Sequence, residues 1–265
     1  MIWNDLHIPP SISDRIHELW DELAAIPASQ PEERLQHLFD TVGALIGSRH
    51  GFWLSSSRMH EPSADDPLLG WRARSIHFYG ELASDQTAYR QSVKCFDAGR
   101  IDESTRNHVH QAGRFRASLL ADHVSAAFFN GRHYDKHYRA RGIVDRLFVV
   151  LPVSEDVESF FIFDRLDGEP DFDHEALAVA SYALRSLSWF TRQLHLSYGQ
   201  LVAKTPLTPT ERRVLRRLLS GRAEKAIAHD IDQSPHTTHN YFTNIFRKFN
   251  VRSRAELMAL WLGHG

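Results

Sequence analysis

Cysteine is nearly absent from this sequence, and long apolar runs are absent too. The one cysteine, Cys95, cannot form a disulfide within the chain, which is typical of a protein from a reducing compartment. The apolar run LFVVLPV at residues 147–153 is far shorter than the roughly 20 residues that span a membrane. The first residues lack the basic and then apolar pattern of a secretory leader. We therefore expect a soluble, cytoplasmic protein.

Signatures of catalysis and of metal binding are also missing. The sequence contains no G-x-S-x-G, P-loop or G-x-G-x-x-G motif. Among its 17 histidines, the pair His133 and His137 has the spacing of two ligands on one helical face, and His108 and His110 form a second close pair. No Glu follows His133 and no Cys cluster accompanies either pair. We therefore predict that the chain is not an enzyme and holds no metal or cofactor.

Acidic residues are scarce in the last part of the chain. Residues 205–265 hold ten Lys or Arg against five Asp or Glu, a charge of +5. The preceding residues hold the other 21 of 31 bases and 28 of 33 acids, a charge of −7. A basic segment joined to an acidic body indicates a module that binds a polyanion. Two prolines fall at the change of composition, so we predict a domain at 1–200, a linker at 201–206 and a second domain at 207–265.

The first 200 residues have the periodicity of an α+β domain. The helical pattern covers 11–27 and 31–47, the strand pattern covers 51–57, 71–80, 143–153 and 157–166, and helix is again predicted for most of 80–140 and for 175–201. The last two strands flank a short polar turn and form a predicted hairpin. This order predicts a mostly antiparallel sheet with flanking helices. It is similar to the element order of small-molecule sensor domains of the GAF and PAS type.

Aromatic side chains on the two predicted central strands are candidates for a ligand pocket. Trp53 comes from the first strand, and Trp71, His77 and Tyr79 come from the second. Side chains of this kind are equally typical of a packed core, and the residues alone leave both interpretations open.

The last sixty residues contain the signals of four helices. Thr208 and Glu211 have the spacing of a capping box, and Gly221 ends the first helix. A short helix, EKAIAHDI, is followed by a tight turn, and Ser234 with Pro235 then begins the third helix. Ser253 caps the fourth helix. Two helices joined by a tight turn, the second with a polar face, predict a helix-turn-helix.

The third helix of this set has two different faces. Thr238, Phe242, Ile245 and Phe249 fall on one side and are predicted to be buried. The opposite arc is polar and consists of His236, His239, Asn240, Thr243, Asn244, Arg247 and Asn250. A face that only keeps a helix soluble favours Glu and Lys pairs, but no acid occurs from Ser234 to Asn250. The polar arc therefore favours contact with DNA, whose major groove accommodates a helix.

These motifs together resemble the DNA-binding domain of LuxR-type (also NarL-type) transcriptional regulators. The resemblance covers residues 207–257 and is carried by LTPTE, Val214-Leu215, Gly221, Ile227-Ala228, Ser234, Thr237, the region of Ile245 with Arg247-Lys248, and VRSRAE. It differs from the usual family residues at Thr238, His239 and Tyr241. The Trp/Tyr, Asp-Pro and Trp pattern of acyl-homoserine-lactone receptors is not met, because Trp71 follows Asp66-Pro67 too soon.

The resemblance implies roles for individual residues. It implies base-reading positions at His239, Asn240 and Thr243. It implies contacts with the DNA backbone at Thr237, Asn244, Arg247 and Lys248, to which we add Lys225. It implies a dimerisation element in the last helix, at Glu256, Leu257, Leu260 and Trp261.

The sequence as a whole predicts a one-component transcriptional regulator that binds double-stranded DNA as a homodimer. A small molecule or another signal would act through the N-terminal domain, and RNA polymerase would be a partner of an activator. An alternative stays open, in which the N-terminal domain docks a protein partner and the second domain tethers it to DNA.

Overall fold

The computed structural model describes residues 8–59, 61, 63–80, 101–201 and 207–262. Cys95 and residues 202–206 of the predicted linker lie outside these ranges. None of the helices in the described ranges is long and apolar enough to cross a membrane.

The chain forms two compact units that differ from the predicted division at residue 200. Unit 1 comprises residues 1–21 and 35–188, and unit 2 comprises 22–34 and 189–265. Residues 189–200 belong to unit 2 because Leu196 is fully buried in the same core as Val214 and Ile245.

Unit 1 is built on a five-stranded antiparallel sheet. Its strands are β1 (His50–Arg58), β2 (Trp71–Tyr79), β3 (Arg116–Leu119), β4 (Ile143–Ser154) and β5 (Val157–Leu166), in the spatial order β2-β1-β5-β4-β3. The predicted hairpin is confirmed as β4 and β5, which have nearly continuous burial because helices or loops cover both faces of the sheet. The α+β class with an antiparallel sheet is therefore confirmed.

The described residues that precede Ser186 form several helices besides this sheet. They are α1 (Pro10–Ala25), α2 (Pro31–Ile46), α3 (Glu103–His110), α4 (Leu120–His123), α5 (Arg132–His137) and α6 (His174–Arg185), with short 3-10 turns at Ala126–Asn130 and Arg139–Arg141. On one face Phe39 of α2 packs on Phe163, with ring centroids 5.1 Å apart. The other face carries a separate cluster that includes Phe52, Phe148 and Phe160.

Two predictions of helix were wrong in detail. Within the described part of 80–140, residues 116–119 form β3, because pairing with β4 specifies this strand and no local pattern reveals it. The single helix predicted for 175–201 is two helices, α6 and α7 (Ser188–Ser197). The first helix ends at Ser186, and serine favours helix ends because its hydroxyl can bond to nearby backbone groups. The N–H of Leu187 then donates to the carbonyl of Leu184, three residues back, rather than to the residue four back as in an α-helix.

Unit 2 contains the four predicted C-terminal helices. They are α8 (Pro209–Leu219), α9 (Glu224–Asp230), α10 (Pro235–Phe249) and α11 (Arg254–Trp261). The capping box is confirmed, since Thr208 Oγ1 accepts from Glu211 N at 3.2 Å and Glu211 Oε2 accepts from Thr208 N at 2.7 Å. Ser234 and Ser253 cap α10 and α11 through their hydroxyls, which accept from the N–H groups of Thr237 and Glu256 at 3.1 Å. Local sequence thus determines where α8, α10 and α11 begin, whereas α9 begins after Ala223 without a side-chain cap.

Candidate nucleic-acid interface

Helix α10 holds its place in unit 2 through one buried face. Phe242, Ile245 and Phe249 lie in the core of the unit, as predicted. Thr238 is fully buried beside them, and its hydroxyl donates to the carbonyl of Ser234 at 3.0 Å. This bond satisfies the side-chain hydroxyl of Thr238, so the threonine leaves no polar side-chain atom unpaired in the core.

The opposite face of α10 is exposed to solvent. Its exposed members are His236, His239, Asn240, Thr243, Arg247 and Asn250, and we call this set the polar face. Among the described residues, no hydrogen bond engages the side-chain amide of Asn240. The hydroxyl of Thr243 donates to the carbonyl of His239 at 3.1 Å, so that its lone pairs remain available. The three predicted base-reading side chains therefore lie on one accessible surface.

An acid from a neighbouring helix reaches the edge of the polar face. Glu224, at the start of α9, lies 3.1 Å from Nδ1 of His239. The side chain of Glu224 is 38% exposed and that of His239 is 66% exposed. The sequence of α10 is free of acids, but the folded surface around His239 is not, because α9 and α10 pack side by side.

The residues that were predicted to contact the DNA backbone divide into two groups. Lys225 and Arg247 are exposed, and Asn244 is half-buried and accepts from Arg247 at 3.0 Å. Thr237 is half-buried near the start of α10 and shares a hydrogen bond of 2.9 Å with the hydroxyl of Ser234. Arg247 is itself a member of the polar face, and Thr237 and Asn244 lie next to members of it on α10, whereas Lys248 is turned away from it.

Lys248 is held inside unit 2 by an ion pair. Its Nζ lies 2.6 Å from Oε2 of Glu211, and the two side chains are only 16% and 6% exposed. Burial raises the pKa of Glu211, but the hydrogen bonds from Lys248 and from the N–H of Thr208 outweigh burial and hold that pKa below its ordinary value. The residue that sequence analysis assigned to a phosphate therefore bridges α10 and the N-terminus of α8.

The predicted dimerisation residues are mostly core residues. Leu257, Leu260 and Trp261 are at most 8% exposed, because they form the inward face of α11. Glu256 is exposed and accepts a hydrogen bond from the N–H of Arg252. The accessible apolar side chains at this end of the chain are instead Met258, at 39%, and Leu262, at 74%.

In unit 1, the strand register separates the four candidate pocket residues. Trp53 is fully buried and donates from Nε1 to Ser159 Oγ at 2.7 Å. It lies opposite His77, so both side chains are on the same face of the sheet. Tyr79 belongs to this face too, where it stacks on Phe39. Trp71 is on the other face.

A β-bulge causes this separation. The register changes between Ser55 and Ser56, which pair with Ser75 and Ala73, so Arg74 is the additional residue in β2. One extra residue reverses the alternation of side chains along the strand. Trp71, His77 and Tyr79 would share a face in a regular strand, but the bulge turns Trp71 to the opposite one.

The face that carries Trp71 contains a cavity of about 170 Å³. Its walls come from four strands and from the segment 101–141, and they include Phe52, Leu54, Trp71, His108, Phe148 and Phe160. The contribution of α3 to this cavity is not visible in the sequence, where His108 stands out only as one of a pair of possible metal ligands. His108 is buried and His110 is exposed, and within the described ranges no three His, Cys, Asp or Glu side chains are placed to hold a metal ion.

Comparison with known proteins identifies part of the chain. Residues 205–261 match the family described as "Bacterial regulatory proteins, luxR family". The probable HTH-type transcriptional regulator GfsR of Streptomyces halstedii is 40% identical over 58 residues, which is 22% of this chain and 24% of that protein. The transcriptional regulatory protein FixJ of Bradyrhizobium diazoefficiens is 37% identical over 115 residues, 43% of this chain and 56% of that protein.

The chain thus spans about a quarter and just over half of the length of these two curated relatives. The matched family and both relatives are regulators of transcription rather than enzymes, in agreement with the prediction from sequence. The C-terminal helix-turn-helix is a luxR-family domain, as the motifs indicated.

Solved structures of low similarity cover more of the chain. SdiA in complex with octanoyl-rac-glycerol has 14% identity and a TM-score of 0.44 over 98% of both chains. The VqsR LBD domain from Pseudomonas aeruginosa has 14% identity and a TM-score of 0.41 over 70% of this chain and 97% of that one.

Proposed function

We propose that this chain, whose residues 205–261 are a luxR-family helix-turn-helix domain, is a one-component transcriptional regulator of the cytoplasm. The observation that carries the proposal is the polar face of α10, which is exposed, contains no acid of its own and lies on a domain of a DNA-binding family. A helix with such a face fits the major groove of B-DNA.

Asn240, His239 and Thr243 are the proposed base-reading residues. Asn240 supports this assignment best, because its exposed amide can donate to and accept from the edge of one adenine at the same time. We assign contacts with the DNA backbone to Arg247 of the polar face, to Asn244 and Thr237 on the same helix, and to the exposed Lys225 of α9.

The protein is proposed to act as a homodimer on an operator with two-fold symmetry. In such complexes the two recognition helices enter the major groove about 34 Å apart. Glu256 and Met258 on α11, with Leu262 directly after it, form the exposed surface that a second copy would contact. For an activator, RNA polymerase would be a further partner.

Unit 1 is proposed to be the sensor, related in design to GAF and PAS domains. Its cavity supports a small-molecule signal over the alternative of a docked protein, because the cavity lies between the sheet and the segment 101–141 rather than on an open surface. Of the predicted pocket residues, Trp71 stays in this proposal, while the buried Trp53 and the half-buried His77 and Tyr79 lie on the opposite face of the sheet and are left out of it.

Selection of bound fragments tests the function. Purified full-length protein is mixed with fragmented genomic DNA, and the affinity for the recovered fragments is measured by fluorescence anisotropy at several salt concentrations. We expect a shared two-fold sequence and an affinity that falls steeply with salt, because phosphate contacts release counterions. Binding that does not depend on sequence, or that is indifferent to salt, would refute the proposal.

A further inference from the structure

His108 is a buried imidazole at the wall of the cavity in unit 1. It is 6% exposed and lies among aromatic rings, with its centroid 4.7 Å from that of Phe148 and 5.4 Å from that of Phe160. The ring of His123 lies 4.1 Å away on a neighbouring segment. A polar ring in such surroundings needs hydrogen-bond partners for both of its nitrogens.

One nitrogen of His108 has a partner that fixes the position of its proton. Glu158 holds Arg116 through two bonds of 2.8 Å, and Nε of Arg116 lies 3.4 Å from Nδ1 of His108. Arginine is always a donor, so Nδ1 accepts. Burial, the neighbouring His123 and the charge of Arg116 hold the pKa of His108 well below its ordinary value. The ring is therefore neutral, and Nε2 carries the hydrogen.

The Nε2–H group of His108 has no acceptor in the described part of the chain. An unpaired N–H in a buried site is unfavourable, and native proteins rarely contain one without a reason. This donor belongs to a residue that lines the cavity, whose other walls include Phe52, Leu54, Trp71 and Phe160. The lining also includes polar side chains such as Ser56, Thr105 and Tyr138, so the cavity combines aromatic and aliphatic walls with polar groups, among them the N–H of His108.

We propose that the cavity binds an uncharged, mainly apolar small molecule whose carbonyl oxygen accepts a hydrogen bond from Nε2–H of His108. This inference rests on the proposed role of unit 1 as a sensor. A ligand of about six to ten non-hydrogen atoms fits, since engineered cavities of about 150 Å³ accommodate benzene.

The charged groups at the wall are consistent with an uncharged ligand. Glu158 is bonded to Arg116, and Asp102 lies 2.6 Å from Nε2 of His133. Arg146, which also lines the cavity, is held by both carboxylate oxygens of Asp164 at 2.6 and 3.0 Å. Arg141 has an interaction of its own within the protein. A charged ligand would have to compete with these interactions.

Two probes of equal shape test the inference on the full-length protein. Acetophenone carries the carbonyl oxygen on an aromatic ring, and α-methylstyrene has the same number of non-hydrogen atoms with a CH2 group in place of that oxygen. Isothermal titration should show that the wild type binds acetophenone about tenfold more tightly, as is typical of one buried hydrogen bond. The imidazole ¹⁵N–¹H signal of His108 should move downfield with acetophenone, because its proton enters a hydrogen bond, and with α-methylstyrene it should show the ring-current shift of the aromatic probe alone.

The variants His108→Phe and His108→Gln complete the test. Phe keeps a ring in contact with Phe148 and should bind both probes equally, whereas Gln retains an N–H donor and should keep part of the preference. Circular dichroism checks that each variant is folded, and if His108→Phe is not, the Gln variant and the NMR signal of the wild type decide.

Four outcomes overturn the inference. They are equal binding of both probes by the wild type, binding of neither, tighter binding of benzoate than of acetophenone, and an unchanged preference in folded His108→Phe. Sequence-selective DNA binding is measured separately on the same protein. If it persists while the probes fail, only this inference is wrong, and if it is lost while the probes bind as expected, only the DNA-binding function is wrong.

Discussion

The ion pair between Lys248 and Glu211 allows two readings of one lysine to be separated by experiment. Sequence resemblance assigns Lys248 to a DNA phosphate, whereas the structure places its Nζ 2.6 Å from Glu211 Oε2. The substitution Lys248→Met keeps most of the length of the side chain and removes the ammonium group, with its charge and its hydrogen bond to Glu211. Lys225→Met is the matched control, because Lys225 is an exposed lysine on α9.

The expected loss of stability for Lys248→Met follows from the burial of both partners. Removing one partner of a buried ion pair costs about 3–5 kcal/mol, because a charge is left buried without compensation. The Lys248 side chain is 16% exposed, and Glu211 keeps the bond from the N–H of Thr208. These two facts reduce the estimate to about 2–3 kcal/mol. Lys225→Met should change the free energy of unfolding by less than about 0.5 kcal/mol, as is usual for surface positions.

Urea unfolding of the full-length protein measures the difference, and hydrogen exchange locates it. The amides of α8 and α10 should exchange faster in Lys248→Met, while those of β4 and β5 in unit 1 should not change. In DNA binding, Lys225→Met should reduce the slope of log affinity against log salt by about one phosphate contact. Lys248→Met should leave that slope unchanged for the fraction of protein that is folded.

The pH dependence supplies an independent check. The folded-state pKa of Glu211 lies below its ordinary value, so its contribution to stability is complete above the unfolded pKa of about 4.3 and is lost as the pH falls through the folded value. The difference in stability between wild type and Lys248→Met should therefore shrink in acid. A variant as stable as the wild type at pH 7, with a reduced salt slope, would show that Lys248 contacts DNA and that the ion pair is unimportant.

Three other predictions concern single residues. Asn240→Ala should lower the discrimination at one base pair by about 1–3 kcal/mol; binding to a set of single-base operator variants checks this, and an equal loss for every sequence would contradict the base-reading role. Burial lowers the pKa of His195 to about 3, whereas the pKa in the unfolded state is about 6.5. Between these two pH values the unfolded state binds more protons than the folded state. The free energy of unfolding therefore decreases as the pH is lowered, by up to about 1.4 kcal/mol per pH unit. Urea unfolding at pH 7 and pH 5 should show a weaker pH dependence for His195→Gln, and identical dependence would refute the cause. Trp53→Phe should cost about 1–3 kcal/mol, because it removes the bond to the buried hydroxyl of Ser159; the double variant with Ser159→Ala should recover part of this loss, and full additivity would rule out the bond as its source.

Much of unit 2 could be predicted because its signals are local. Thr208 and Glu211 are three residues apart, and so are Ser234 and Thr237, so each cap is visible in a short stretch of sequence. The inward and outward faces of α10 follow from its helical period alone. The ion pair of Lys248 could not be predicted in this way, because its partner Glu211 is 37 residues away in the sequence and comes into contact only when α8 and α10 pack.

The candidate pocket residues could not be assigned to the correct face of the sheet from sequence patterns. Strand alternation placed Trp71 with His77 and Tyr79, but the additional residue Arg74 reverses the alternation between them. No feature of WRARSIHFYG marks the bulge, which arises from the pairing of β2 with β1. The environment of His108 could not be predicted either, because its ring is bonded to Arg116, which is held by Glu158 of a strand that is distant in the sequence.

The sequence by itself determined that this chain carries a basic luxR-type helix-turn-helix at its C-terminus and an α+β domain before it, because charge, helix caps and periodicity are properties of neighbouring residues. Only the tertiary structure decided which polar groups remain available. Folding pairs Lys248 with Glu211 and brings Glu224 beside His239, and it leaves Asn240 exposed and Nε2 of His108 without an acceptor among the described residues. These outcomes depend on contacts between distant segments, and the energy of a polar side chain is set by the partners that such contacts provide.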